Sequence, residues 1–215
     1  MANFKKFGIK EVADVRFYNV GDVKVNTTTG EVTLKDNTVK PALEFNTLKV
    51  SNLEFTGETA EARGGKGNTV LMSWDHSREA NLTLEDALLS VETLNAMLSS
   101  NEVGGDEDSA IITIDAAGFP GTYTVVGKTY ARDEDGTDQF LTFVIWKAKV
   151  QAEASFEMSA DGDPSTLNMT LKVLRASEDP GIGSKDGELM KFIVDKNQTG
   201  KKTNPTIAWP VYKAQ

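Results

Sequence analysis

The sequence predicts a mainly β fold, a sandwich or barrel of antiparallel strands with one flanking α-helix (about 84–99) and a long protruding loop. Along most of the chain, apolar residues recur at every second position, which is the period of a half-buried strand. One segment instead carries apolar residues at spacings of three and four, the period of an amphipathic helix. Because no internal repeat or linker interrupts the pattern, we expect residues 1–215 to form a single domain.

The composition excludes several classes of protein. The chain has no cysteine, which excludes a disulfide scaffold, cysteine-ligated zinc and thiol catalysis. Its start lacks the apolar stretch of a secretory signal, and its longest apolar run is too short to span a bilayer. The net charge of −9 disfavours tight binding of nucleic acid, but it suits a protein past which nucleic acid must slide without sticking.

The first strands are short and end at recognisable turns. The segment "NTTTG" (residues 26–30) predicts a turn between two of them. In "TLKVSNLEF" the apolar parity changes at residues 51–52, which predicts a β-bulge there. The apolar pairs that define these strands are Val15 and Phe17, Val23 and Val25, Val32 and Leu34, Leu48 and Val50, and Leu53 and Phe55.

The segment "LTLEDALLSVETLNAMLSS" predicts the helix. Thr83 and Asp86 form a plausible capping pair at its start, and Ser90 is an alternative first residue. We expect the helix to pack on the sheet through its apolar stripe. The members of that stripe expected to face the sheet are Leu88, Val91, Leu94 and Leu98.

Residues 144–173 predict a long antiparallel hairpin with one apolar and one polar face. The turn "ADGDP" separates its two strands. A long, uniformly polar face suits a sheet that continues into neighbouring subunits or one that lines a water-filled barrel, and the alternative is a solvated hairpin. The first strand contributes to this face Lys147, Lys149, Gln151, Glu153, Ser155 and Glu157.

A glycine-rich basic segment precedes the helix. It consists of Arg63, Gly64, Gly65, Lys66, Gly67 and Asn68. It lacks the Gly-Lys-Ser/Thr ending of a P-loop, and a strand follows it where a dinucleotide site needs a helix. The segment is therefore either an arm that contacts a neighbouring subunit or a mobile hairpin tip.

No catalytic group of residues is predicted. The single histidine, His76, lies between Asp75 and Ser77, and neighbours on a strand point to opposite faces and cannot form a relay. We expect a turn between Trp74 and Arg78. The acidic segment "ARDEDGTD" lacks the spacing of a calcium loop and predicts a solvated turn, with adventitious calcium as the alternative. We expect no enzyme activity, no cofactor and no metal ligand.

Two segments resemble a known family. "EARGGKGNTVLMSWDHSREANLTLEDALLS" and "DGDPSTLNMTLKVLR" are similar to the central segment and the later hairpin of phage major tail tube proteins. That family is related to the tubes of contractile injection and type VI secretion systems. The likeness covers roughly the middle third and the last strand pair. It implies a sandwich or barrel with protruding loops and terminal arms, in hexameric rings that stack into a conduit for genome passage.

The resemblance also implies partners and a location. The partners are further copies of the chain and tail proteins such as sheath, baseplate or terminator; DNA is present only in transit, and no membrane is involved. The subunit would assemble in the host cytoplasm and reside in the virion tail. Lys147, Lys149 and Lys172 depart from an acidic lumen lining unless Glu153 and Glu157 neutralise them. The alternative is a non-catalytic β-sandwich binding module or another virion protein, such as a capsid decoration or a carbohydrate-binding protein.

Overall fold

A computed structural model describes residues 6–9, 14–36, 38–88, 90–98, 101–106, 109–114, 118–151, 155–156 and 166–195. In these residues the first strands are β1 (Phe7–Ile9), β2 (Asp14–Asn19), β3 (Val23–Val25), β4 (Val32–Leu34), β5 (Leu43–Phe45), β6 (Leu48–Gly64) and β7 (Thr69–Asp86). The single described helix, α1, spans Val91–Leu98. The remaining strands are β8 (Asn101–Asp106), β9 (Ser109–Thr113), β10 (Thr122–Asp133), β11 (Asp138–Val150), β12 (Ser155–Phe156), β13 (Leu167–Val173) and β14 (Met190–Asp195). The predicted mainly β class with one helix is confirmed.

One antiparallel sheet of ten strands organises the molecule. Its main path runs β5-β2-β10-β11-β13-β7-β6, with β1 added to β10, β12 to β13 and β14 to β11. Two further ribbons, β3–β4 and β8–β9, lie outside this sheet. The predicted turn at residues 26–30 joins β3 to β4, where the Asn26 side chain accepts hydrogen bonds from the Thr28 and Thr29 amides.

Both faces of the sheet are covered, which gives a sandwich-like arrangement. The main cluster draws residues from β2, β5, β7, β10, β11 and β13, and α1 packs against it through Ala96 and Met97. Within this cluster the Phe17 and Phe45 rings lie 5.2 Å apart. The second cluster lies on the other face, beneath β3 and the segment 174–184. Its buried members are Tyr18, Val23, Val25, Val126, Val144, Trp146 and Ala176.

A β-bulge in β11 links the two clusters. Ile145 lies opposite Val125, but Ala148 lies opposite Tyr123, so β11 has one residue more than β10 between these pairs. The extra residue reverses the parity of the strand. Val144 and Trp146 therefore face the second cluster, whereas Ala148 and Val150 face the main one. The prediction that these four side chains share one apolar face is wrong.

The same bulge marks a change of neighbours. Before it, residues 140–145 of β11 pair with β14, and after it residues 148–150 pair with β13. The predicted hairpin of β11 with β13 is confirmed over the described residues. β11 ends at Val150, the Gln151 amide still donates a hydrogen bond to the Thr170 carbonyl, and Ser155 and Phe156 of β12 pair with β13.

The helix is shorter than predicted. Residues 84–86 belong to β7, where Leu84 pairs with Met169 of β13, so this sheet pairing overrides the local helical spacing. The alternative start is the observed one, because the Ser90 hydroxyl accepts a hydrogen bond from the Thr93 amide at 3.1 Å.

The stripe predicted to face the sheet is also wrong in part. Leu88 lies before the helix and is 61% exposed. Val91 and Leu94 are half-buried, and Leu98 packs partly buried on the main cluster. The buried face of α1 consists instead of Thr93, Ala96 and Met97. The helical spacing is observed, but the buried face of α1 is rotated from the predicted one, because the helix begins later than residue 84.

Candidate assembly surface

The far end of the β6–β7 hairpin, residues 56–79, is a long exposed ribbon, which we call the distal ribbon. The pairing of β7 with β13 ends at Asn81, so beyond that point β6 and β7 pair only with each other in the described part of the chain. Residues 65–79 are all exposed. At about 3.3 Å per residue, residues 69–79 carry the ribbon roughly 35 Å from the sheet.

One face of the distal ribbon is apolar. Ala60 pairs with Trp74 and Ala62 pairs with Met72, and these two cross-strand pairs lie on the same face. Trp74 is 51% exposed and Met72 is 65% exposed. Leu71 and Val70, nearer the tip, are also exposed. Contiguous exposed apolar residues of this kind mark an interaction surface.

Charged and polar side chains lie beside this apolar face and behind it. Glu58 and His76 lie 3.3 Å apart on the same face as Trp74. On the opposite face the Thr59 hydroxyl donates a hydrogen bond to Asp75 at 2.8 Å. Asp75 and His76 therefore point to opposite faces, as predicted from their positions on one strand, and they form no relay.

The turn predicted between Trp74 and Arg78 does not exist. β7 runs without a break through these residues, and Asp75, His76 and Glu79 pair with β6. A bulge takes the place of the turn: Glu58 lies opposite His76 and Thr56 lies opposite Glu79. Ser77, in the bulge, has a φ of 55°, the left-handed conformation that polar turn residues adopt.

The glycine-rich segment forms the tip of the ribbon. Arg63 and Gly64 end β6, and residues 65–68 make the turn, closed by a hydrogen bond from the Asn68 amide to the Gly65 carbonyl. Gly65 and Gly67 both have φ above 75°, which explains why the turn requires glycine. Arg63 is already paired with Glu61 at 2.6 Å, so its charge is partly neutralised within the chain.

The predicted polar face of the first hairpin strand is only partly described. Lys147 and Lys149 are exposed and Gln151 is half-buried. Glu153 and Glu157 lie outside the described residues, as does the side chain of Ser155, whose backbone pairs with Asn168.

The lysines of this face have different environments. Lys172 pairs with Glu79 of β7 at 3.0 Å, a partner that the sequence did not predict. Among the described side chains, no carboxylate lies within ion-pair distance of Lys147 or Lys149. Over its described residues, the polar face is therefore basic.

A cleft of about 440 Å³ opens beside these lysines. It is lined by Phe119, Pro120, Lys149, Val150, Gln151, Lys172 and Leu174. Sequence reasoning missed this cleft because the loop that carries Phe119 and Pro120 is distant in sequence from β13. Phe119 and Pro120 are an isolated apolar pair without helical or strand periodicity, so no sequence pattern indicates that they line a cleft beside β13.

The acidic segment at residues 131–138 forms a turn, as predicted. The Asp133 carboxylate accepts hydrogen bonds from the Asp135 and Thr137 amides, and so it closes the β10–β11 connection. Arg132 and Asp138 form a two-point ion pair across the strands, and this hydrogen bonding raises the pKa of Arg132. In the described residues no three acidic or histidine side chains are grouped so that they could hold a metal ion.

Comparison with known proteins adds one match. A family model described as the YomU/Tube protein family matches residues 24–110 and 105–185. Together these stretches include the distal ribbon, α1 and the described pairing of β11 with β13. No curated protein matches the chain. None of the helices in the described residues has the length and apolar character needed to cross a membrane.

Proposed function

The chain belongs to the YomU/Tube protein family, a phage-type tube family, and on this basis we propose that it is the major subunit of a phage tail tube. In this proposal the subunits close into hexameric rings, and the rings stack into the conduit through which the genome passes during ejection. The protein is then a structural component of the virion tail that assembles in the host cytoplasm. It has no enzyme activity and no cofactor.

The distal ribbon is the observation that carries the proposal. A two-stranded ribbon is marginally stable in water by itself, and this one exposes both Met72 and Trp74 on one face. Burying such a side chain contributes roughly 1.5–3 kcal/mol, so a partner surface would stabilise the ribbon considerably. A subunit that must contact its neighbours in a closed ring or a stack needs a projecting surface of this kind.

The charge of the chain supports a role as a conduit. The net charge of −9 gives a surface that repels a phosphate backbone, so DNA passes through without tight binding. The exposed Lys147 and Lys149 do not suit a lumen lining. Of the two, Lys149 lines the cleft beside β13, and we assign that cleft to contacts between subunits. Sheath, baseplate or terminator proteins are the further partners that a tail tube requires.

Electron microscopy of the purified chain tests the proposal. We expect rings or tubes with sixfold symmetry at high protein concentration, and a faster-sedimenting species in the ultracentrifuge. The matched control replaces residues 60–74 with Asn-Gly, which joins the paired residues Thr59 and Asp75 by a tight turn. This shortened chain keeps both apolar clusters and should remain folded but unassembled. A wild-type chain that stays monomeric at every concentration and salt condition contradicts the proposal.

A further inference from the structure

The cleft beside β13 combines an apolar floor with the positive charge of Lys149, which no carboxylate of the described residues neutralises. Val150 is fully buried, Leu174 is half-buried, and Phe119 stands at the edge with 71% of its surface exposed. Lys149 lines the cleft, and no described carboxylate is paired with it. Its volume of about 440 Å³ is above the roughly 300 Å³ at which clefts begin to hold ligands. Such a cleft suits an aromatic side chain accompanied by a carboxylate.

The distal ribbon presents that combination. Trp74 is half-exposed, and Glu58, with 74% of its side chain exposed, lies on the same face. Ala60, directly opposite Trp74, is small and leaves the indole ring accessible from the side. The protruding indole and carboxylate of the ribbon therefore complement the concave apolar surface and the lysine of the cleft.

The two surfaces on one copy cannot meet each other. Lys172 lines the cleft and is bonded to Glu79, the residue at which the ribbon leaves the sheet. Trp74 lies five residues farther along an extended strand, roughly 17 Å away at about 3.3 Å per residue. The cleft is thus at the base of the ribbon, and Trp74 is carried away from it.

We propose that the distal ribbon of one copy inserts Trp74 into the cleft of a second copy, where Glu58 pairs with Lys149. The proposal rests on the self-assembly proposed above and identifies the surfaces that perform it. Because the donor and acceptor surfaces differ, the contact can repeat from copy to copy, as a ring or a stack requires. It also gives the two exposed lysines different roles, since Lys147 does not line the cleft.

Disulfide trapping tests the contact directly, because the natural chain has no cysteine. A chain carrying both Trp74→Cys and Phe119→Cys should form a ladder of covalent oligomers when it is oxidised after assembly, since bridged residues need Cα atoms within about 7 Å. The matched control pairs Trp74→Cys with Phe192→Cys. Phe192 is also an exposed aromatic residue, but it lies opposite Phe143, away from the cleft. The control should give no ladder, and equal ladders from the two chains overturn the proposal.

Charge reversal tests the same contact with Trp74 intact. We expect Lys149→Glu or Glu58→Lys alone to raise the protein concentration needed for assembly by about tenfold, because each places like charges together. The two reversals combined should restore assembly, as judged by pelleting and electron microscopy. Lys147→Glu is the control and should leave assembly unchanged. An equal effect of the Lys147 and Lys149 variants, or no recovery in the double variant, overturns the proposal.

The outcomes separate the two proposals. Wild-type tubes without a Trp74–Phe119 ladder and without charge recovery contradict the ribbon-in-cleft contact and leave the tail tube function in place. A wild-type chain that forms neither rings nor tubes contradicts the function and the contact together.

Discussion

The Lys191 ammonium lies 5.1 Å from the centroid of the Trp146 ring, above the β11 bulge. The Trp146 indole donates a hydrogen bond to Glu188 at 2.9 Å, and Lys191 pairs with the same carboxylate at 3.2 Å. Trp146 itself is 2% exposed. The three side chains hold the segment before β14 against the second cluster.

Trp146 is therefore expected to be a major contributor to stability. Trp146→Ala should lower the free energy of unfolding by about 3–5 kcal/mol, because it leaves a large cavity. Trp146→Phe keeps most of the apolar contact but removes the hydrogen bond to Glu188, and should cost about 1–3 kcal/mol. Urea titration followed by circular dichroism measures both values. Equal losses for the two variants would show that the hydrogen bond, not the packing, dominates.

The main cluster contains a glycine that a side chain cannot replace. The Phe143 ring lies across Gly127 so closely that an added methyl group would overlap it. Gly127→Ala should cost about 1–3 kcal/mol through overpacking, and Phe143→Leu in the same chain should recover part of that loss. Thermal unfolding measures the change. The control is Gly8→Ala, where no atom lies within 4 Å of the new methyl group and a loss near zero is expected.

The corrected phase of α1 gives a paired test. Met97→Ala should lower the free energy of unfolding by about 2–5 kcal/mol, because Met97 is buried in the main cluster. Leu88→Ala should change it by less than about 0.5 kcal/mol, since Leu88 is largely exposed. Denaturant titration distinguishes the two. A larger loss of unfolding free energy for Leu88→Ala than for Met97→Ala would contradict the observed face and support the one predicted from the sequence.

The tip of the distal ribbon should change its accessibility on assembly. In the free chain we expect trypsin to cut first at Lys66, in the turn, and more slowly at Arg63, which lies in β6 and is paired with Glu61. In the assembled state both sites should be protected by the neighbouring subunit. Mass spectrometry of timed digests of the two states measures this. Lys66→Gln is the control that assigns the first cut, and identical digests of both states would remove the tip from the interface.

The strands were predictable wherever one face is buried and the other is solvated. The β3–β4 ribbon follows strict alternation, and its observed bounds, Val23–Val25 and Val32–Leu34, coincide with the expected apolar pairs. β6 shows the limit of this signal. Its parity change was assigned to residues 51–52, whereas the register shifts between Leu48 and Val50, because parity locates a bulge only to within a few residues.

Other features depend on contacts that no local pattern records. The β11 bulge was missed because both sides of it are apolar, so the alternation continues unbroken in the sequence while the side chains change face. Of the candidate interface, the sequence indicated the glycine tip and the basic residues around it. The exposed face of Met72 and Trp74 could not be recognised, because alternating apolar residues on a strand ordinarily indicate burial.

The course of β11 through both clusters has a consequence for how the protein melts. Val144 and Trp146 anchor this strand in one cluster, and Ala148 and Val150 anchor it in the other. Neither cluster can come apart without removing part of the strand that supports its counterpart. The two halves therefore share a single cooperative transition, and heating should give coincident fluorescence and circular dichroism curves with no half-folded species between them.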